Sequence, residues 1–146
     1  MFGKACLALV LLFVTIKDGG AVKVSWDTLQ NIPFEEKYIQ EVKGYMLFPK
    51  FPPALQRLDG QMVEVEGYVV PVDKDRNFIA LSANPYAACY FCNKAGPASV
   101  MTVKFKSKGK RYFIDNYKTF RGRLRLNSTD IHQFYYVIED AEDISQ

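Results

Sequence analysis

Two cysteines separated by two residues form the most concentrated chemical feature of this sequence, Cys89-Tyr90-Phe91-Cys92. Cys-x-x-Cys spacing can bring both sulfur atoms onto one side of a tight turn, where they bind a metal or close a small disulfide ring. A third use is thiol–disulfide exchange, which requires a cysteine whose pKa is lowered by a helix N-terminus or a nearby cation. The spacing alone leaves all three uses open.

The residues after the pair bear on these alternatives. Asn93 stands where a c-type haem attachment sequence has histidine, so that cofactor is excluded. Gly96 and Pro97 are predicted to shape the loop, and they disfavour the long helix that a thioredoxin-like redox site would place here. Zinc is the cofactor to consider, and it requires about four ligands. His132, the only histidine of the chain, is the candidate third ligand beside the two cysteines.

A second candidate site is a run of basic residues between positions 104 and 125, interleaved with tyrosine and phenylalanine. This composition is typical of grooves that bind single-stranded nucleic acid. The same alternation also fits the solvated outer face of two strands, balanced by the acidic C-terminal residues. The cations considered for anion binding are Lys104, Lys106, Arg121, Arg123 and Arg125.

The N-terminus resembles a secretory signal peptide, which we assign to residues 1–21. Lys4 precedes the uncharged apolar run 5–16, and Gly19-Gly20-Ala21 supplies small residues for cleavage. As a helix the run would span about 18 Å, against about 30 Å of hydrocarbon in a bilayer. We therefore expect an exported, periplasmic protein that contacts the inner membrane only if the signal stays uncleaved. In that oxidising compartment a disulfide is the favoured state of Cys89 and Cys92.

The remaining chain predicts one mainly β domain over residues 60–146, preceded by a mixed helical and extended lead-in over residues 22–59. From Met62 apolar residues alternate strictly with polar ones, and Gly67 is the expected bend of this strand. Further strands are predicted at 78–82, 100–106, 121–126 and 133–139, with a short one at 111–114. Five strands in about 80 residues favour a small OB-like barrel.

The lead-in and the turns resemble those of a known family. The segments that carry the resemblance are Trp26-Asp27-Thr28-Leu29, Pro49-Lys50-Phe51, 58–63, 67–71, 81–86, Cys89–Cys92, Ala95-Gly96-Pro97 and 122–127. In these the chain is similar to the exported bacterial domain-of-unknown-function family number thirty-two ninety-nine. The resemblance implies an envelope location, an OB-like core and a cysteine loop that is a family signature. Phe91 stands where some members have histidine, which weakens the case for a metal.

These observations lead to a function hypothesis for the whole chain. No Gly-x-Ser-x-Gly or His-Glu-x-x-His sequence is found, which argues against hydrolytic chemistry. We expect a non-enzymatic envelope protein that binds a partner protein or a small ligand, with its cysteine loop closed as a disulfide or holding a metal. The alternatives are a periplasmic thiol–disulfide oxidoreductase and a nucleic-acid-binding OB domain, the latter disfavoured because an exported protein rarely meets nucleic acid.

Overall fold

The computed structural model describes residues 20–75, 77–86 and 95–146. Strands account for 44% of the described residues and helices for 11%, which confirms the prediction of a mainly β fold. The strands are β1 (Val22–Lys23), β2 (Phe34–Ile39), β3 (Gly44–Pro49), β4 (Met62–Val70), β5 (Phe78–Ser82), β6 (Val100–Phe105), β7 (Tyr117–Leu126) and β8 (Tyr136–Asp143). Helices α1 (Trp26–Gln30) and α2 (Pro53–Gln56) are short, and Pro97–Ser99 form a 3-10 turn. None of the helices in the described ranges is long and apolar enough to cross a membrane.

Five strands close into a barrel, as predicted. Around the barrel β4 pairs with β5, β5 with β6, β6 with β8, β8 with β7, and β7 again with β4. The pair β6–β8 is parallel and the other four are antiparallel. Strands β2 and β3 form a separate antiparallel hairpin, and β1 runs parallel to the first residues of β4. Closure leaves the barrel without a free strand edge, which protects it against pairing with other chains.

Strand β4 bends around Gly67, the residue that the sequence marks for this role. Before Gly67 the strand pairs with β1 and β7, and from Tyr68 onward it pairs with β5 and β7. A Cβ atom on Gly67 would lie 2.7 Å from Ser82 O and 3.1 Å from the Leu81 side chain. Only glycine therefore lets β4 approach β5 closely enough for the exchange of neighbours.

The core fills the inside of the barrel with alternate residues of each strand. In β4 the buried side chains are Val63, Val65 and Val69, and in β6 they include Met101 and Val103, as the alternation predicts. The lead-in also contributes, because Leu29 of α1 and Leu55 of α2 are fully buried in the same cluster. The barrel interior is thus a packed core without a channel.

The strand predictions need three corrections. Residues 111–114 form no strand, because Phe113 N donates to the Asn116 side chain (3.0 Å) and Asp115 adopts a positive φ of 61°. Strand β7 begins at Tyr117, four residues before the predicted start, because its first half pairs with β4. Strand β8 spans Tyr136–Asp143 and not 133–139, since residues 127–135 form a hydrogen-bonded loop.

An acidic residue supports an aromatic cluster where β8 ends. Tyr112 packs against Phe105 and Phe120 at centroid distances of 5.7 and 5.8 Å, and its hydroxyl donates to Asp143 Oδ2 (3.1 Å). Burial by itself would raise the pKa of Asp143, but hydrogen bonds from Ser145 and Tyr112 bring it below its usual value of 3.8. The charged carboxylate is therefore the stabilising form.

We expect Asp143→Asn to lower the free energy of unfolding at pH 7 by about 0.5–1 kcal/mol, a value that allows for solvent screening. A depressed pKa contributes stability above the carboxyl's unfolded-state pKa, and that stability is lost as the pH falls through the folded-state pKa. The variant and the original chain should therefore converge as the pH falls below 3.8. Urea unfolding at pH 7 and pH 3 measures this, and an unchanged difference at the two pH values would contradict it.

Candidate ligand-binding groove

A cavity of about 630 Å³ opens over the outer face of β5 and β6. Five parts of the chain contribute to it: the hairpin β2–β3, the connection from β4 to β5, the 3-10 turn before β6, the strands β5 and β6 themselves, and the loop before β8. The lining residues are Met46, Val72, Phe78, Pro97, Thr102, Lys104 and residues 131–135. This cavity is called the groove below.

The floor of the groove follows from the alternation of β5 and β6. Phe78 and Lys104 are cross-strand partners, and Thr102 lies two residues before Lys104 on the same face. Their neighbours Ile79 and Val103 point the other way, into the core. Phe78 is 37% exposed although it is a large apolar side chain, so the floor presents an aromatic ring to solvent beside a hydroxyl and an ammonium group.

The loop of residues 127–135 forms one wall and is held by its own side chains. Asn127 Nδ2 donates to the carbonyl oxygens of Asp130 (2.8 Å) and Gln133 (3.1 Å). The Asp130 carboxylate accepts bonds from His132 N (2.9 Å) and Gln133 Nε2 (2.8 Å), and these bonds lower the pKa of Asp130. The groove-facing part of the loop is thus fixed without a bound ligand.

The hairpin β2–β3 contributes Met46 to a second wall and is tied to the same loop. Tyr135 donates its hydroxyl to Leu47 O (2.6 Å), and its ring packs 5.8 Å from Phe34. His132 Nε2 lies 3.1 Å from Glu41 Oε1, although both side chains are well exposed. The two Tyr135 contacts involve a backbone carbonyl and an aromatic ring, so they do not depend on the exposed contact between His132 and Glu41.

The chemistry of the groove is that of binding an amphipathic molecule. Its surface is mainly apolar, and Thr102, Lys104, His132 and Gln133 supply its polar groups. Lys104 forms no ion pair within the described ranges. Among those residues no group of three potential metal ligands is found.

The structure brings some of the sequence-predicted site residues together and separates others. Lys104, His132 and Pro97 line the groove, whereas Lys106 is exposed after the end of β6. Gly96 has a φ of 70°, a conformation that favours glycine, and its carbonyl accepts the Ser99 hydroxyl (2.7 Å). Cys89 and Cys92 lie outside the described residues.

Three arginines of the basic run lie on the outer face of β7, which β8 separates from β6: Arg121, Arg123 and Arg125. Arg121 forms a 2.6 Å ion pair with Glu64, and Arg125 lies 3.0 Å from the Glu139 carboxylate. Arg123 donates to Gly60 O (2.7 Å). Each arginine therefore has a partner within the chain, as expected for the solvated face of a strand, and none lines the groove.

Sequence reasoning missed Phe78, Thr102 and Met46 as groove residues. The sequence pattern could have identified Phe78 and Thr102, because side chains alternate along a strand. Ile79 and Val103 point into the core, so their neighbours point outward. Met46 could not be found, since its hairpin was not predicted.

Comparison with family models and with curated proteins gave no match. Among solved structures the fold is similar to that of a DUF3299 family protein from Pseudomonas aeruginosa PAO1, with a TM-score of 0.55 and 13% identity. The alignment covers 88% of this chain and 99% of that chain. The predicted resemblance is thereby confirmed at the level of the fold, which both chains share over nearly their whole length.

Proposed function

We propose that this chain is a non-enzymatic binding module whose barrel takes a small amphipathic ligand into the groove over β5 and β6. The observation that carries the proposal is the exposed Phe78 ring beside Thr102 and Lys104, between two walls that hydrogen bonds hold in place. An aromatic floor with a few convergent polar groups is the usual composition of a ligand site.

The position of the groove in the barrel supports the same proposal. OB-folds bind ligands on the face of their second and third strands, between the connections of strands one to two and four to five. Here those strands are β5 and β6, and the corresponding connections supply Val72 and residues 131–135 of the lining. The groove thus lies at the position that this fold uses for recognition.

A nucleic-acid ligand is less well supported than a small one. Binding a phosphate backbone requires several cations along one surface. Of the five predicted anion-binding residues only Lys104 lines the groove, and the arginines of β7 are bonded elsewhere. The small ligand therefore remains the proposal.

Export to the periplasm and a Cys89–Cys92 disulfide belong to the same proposal. The signal-like residues 1–21 support the first and the Cys-x-x-Cys spacing supports the second. A metal at the cysteines and a thiol–disulfide oxidoreductase activity stay sequence-based alternatives.

The probe 8-anilinonaphthalene-1-sulfonate, which combines apolar rings with one negative charge, tests the groove. We expect its fluorescence to rise and to saturate at one probe per protein. Thr102→Trp fills the floor and should abolish binding, while Phe78→Ala removes the exposed ring and should weaken it about fivefold or more.

Gln61→Trp is the matched control, because residue 61 is exposed and does not line the groove. Circular dichroism of each variant verifies that the barrel is folded. Probe binding that is equally strong in Thr102→Trp, Phe78→Ala and the control would refute the proposal.

A further inference from the structure

A second cavity, of about 530 Å³, lies on the outer face of β4 and β7 and shares no lining residue with the groove. Trp26, Glu64, Glu66, Tyr117 and Lys23 line it together with residues near the end of β8. It therefore combines two aromatic rings with two carboxylates and one lysine.

Trp26 lies beside this cavity because hydrogen bonds attach residues 24–26 along β4. Val24 N donates to Glu64 O (2.9 Å) where β1 ends, and Trp26 Nε1 then donates to Glu66 O (2.7 Å). The Ser25 side chain caps α1 by accepting from Thr28 N (3.4 Å), which sets the direction of the chain at this point. The ring is thus fixed by a backbone carbonyl beside the cavity.

Tyr117 lines the cavity beside the same glutamate. Burial of its hydroxyl, together with the negative charge of the Glu66 carboxylate, raises the pKa of Tyr117. Its ring, 53% exposed, packs edge-on against Tyr68 at a centroid distance of 4.9 Å. Both aromatic residues therefore line the cavity together with Glu66, and Trp26 is bonded to the main-chain carbonyl of that residue.

The two glutamates of the lining differ in whether a cation neutralises them. Glu64 Oε1 accepts from Arg121 Nη2 (2.6 Å) and Nε (3.0 Å), which neutralises it. Within the described part of the chain Glu66 has no ion pair. An unneutralised carboxylate beside two aromatic rings that line the same cavity, the half-buried Trp26 and the exposed Tyr117, is the combination that recognises organic cations.

We propose that this cavity binds an organic ammonium ion, with Glu66 as its counter-ion and Trp26 and Tyr117 as its aromatic walls. The methyl groups of a quaternary ammonium ion contact ring faces and need no hydrogen-bond acceptors, so they suit this lining better than a strongly hydrated metal ion. Lys23 also lines the cavity, and its positive charge repels a bound cation. Removal of this charge is therefore a second test of the proposal.

Choline is a suitable probe, because Trp26 is the only tryptophan of the chain and its fluorescence therefore responds to a ligand that enters this cavity. We expect a saturable change in emission when choline chloride is added to the full chain, and none with sodium chloride at the same ionic strength. Glu66→Gln should weaken choline binding at least about fivefold, and Lys23→Gln should strengthen it about twofold.

Glu36→Gln, which changes an exposed glutamate of β2, is the matched control and should bind choline like the original chain. Glu66→Gln keeps the main-chain carbonyl that holds Trp26, so its unliganded emission should be unchanged. If Glu66→Gln does not fold, Tyr117→Leu removes the exposed aromatic ring, and it should weaken choline binding about twofold or more. Equal responses to choline and sodium chloride, or unchanged affinity in both Glu66→Gln and Tyr117→Leu, would overturn the proposal.

Discussion

Gly122→Ala is expected to lower the free energy of unfolding by about 3 kcal/mol, the upper part of the range for overpacked cores. A Cβ atom at this position would overlap Ile138 Cγ2 and would lie 2.6 Å from Glu139 O and 3.1 Å from Ala141 Cα. Two of these three atoms belong to the backbone of β8, which cannot move aside as a flexible side chain can. The strands must separate locally to admit the methyl group.

Gly122 faces a β-bulge of β8. The register between β7 and β8 shifts between Arg121 and Arg123, and Asp140 has a positive φ of 50°. A shift also occurs where β8 pairs with β6, between Val103 and Phe105. Because a bulge bends a strand and increases its twist, this one lets β8 close the barrel between β6 and β7.

Urea unfolding followed by far-ultraviolet circular dichroism measures the effect. Gly44→Ala is the matched control, because the nearest atom to its new Cβ would be Val42 O at 3.8 Å, an ordinary contact. A difference between the two variants of less than about 1 kcal/mol would show that β8 relaxes around the added methyl group.

Local alternation in the sequence predicts most of the barrel, but not the features that depend on distant strands. Gly67 is recognisable because it interrupts a regular row of valines within its own strand. Gly122 is also inward-facing, but the reason that only glycine fits there is a bulge about 20 residues later in β8. Nothing within β7 carries that information.

The hairpin and the groove escaped prediction for a related reason. Strand β2 carries Glu35, Glu36 and Lys37 in succession, so it shows no alternation of apolar and polar residues. The contacts of the hairpin are long-range, such as the one between the Tyr135 hydroxyl and Leu47 O of β3 across 88 residues. Because the hairpin was not predicted, the sequence could not predict the part of the groove that Met46 lines.

The composition of the basic run suggests one continuous basic surface, but the strand order places its residues on two separate surfaces. Lys104 and Arg121 are close in sequence and similar in chemistry, but β8 lies between β6 and β7. The lysine therefore joins the groove, and the arginine neutralises Glu64 on another face. Because Arg121 pairs with Glu64, Glu66 is the carboxylate of that face to which we assign a cation.

Tyr136→Ala is expected to lower the free energy of unfolding by about 3–5 kcal/mol. Tyr136 is fully buried in β8, its hydroxyl donates to Leu29 O (2.7 Å), and its ring lies 5.7 Å from that of Phe51. The variant would leave a cavity and an unsatisfied carbonyl oxygen at once. Tyr136→Phe keeps the ring and should cost about 1–2 kcal/mol, which separates the two contributions.

The same variants test whether the lead-in of residues 22–59 unfolds together with the barrel. Tyr136 connects β8 directly to Leu29 and Phe51, and both of these belong to the lead-in. Trp26 fluorescence reports on the lead-in, while far-ultraviolet circular dichroism reports mainly on the barrel strands. If the two parts form one cooperative unit, both signals change at the same urea concentration and shift equally in Tyr136→Ala. An earlier transition of Trp26 would instead show that the lead-in can detach, and with it the hairpin wall of the groove.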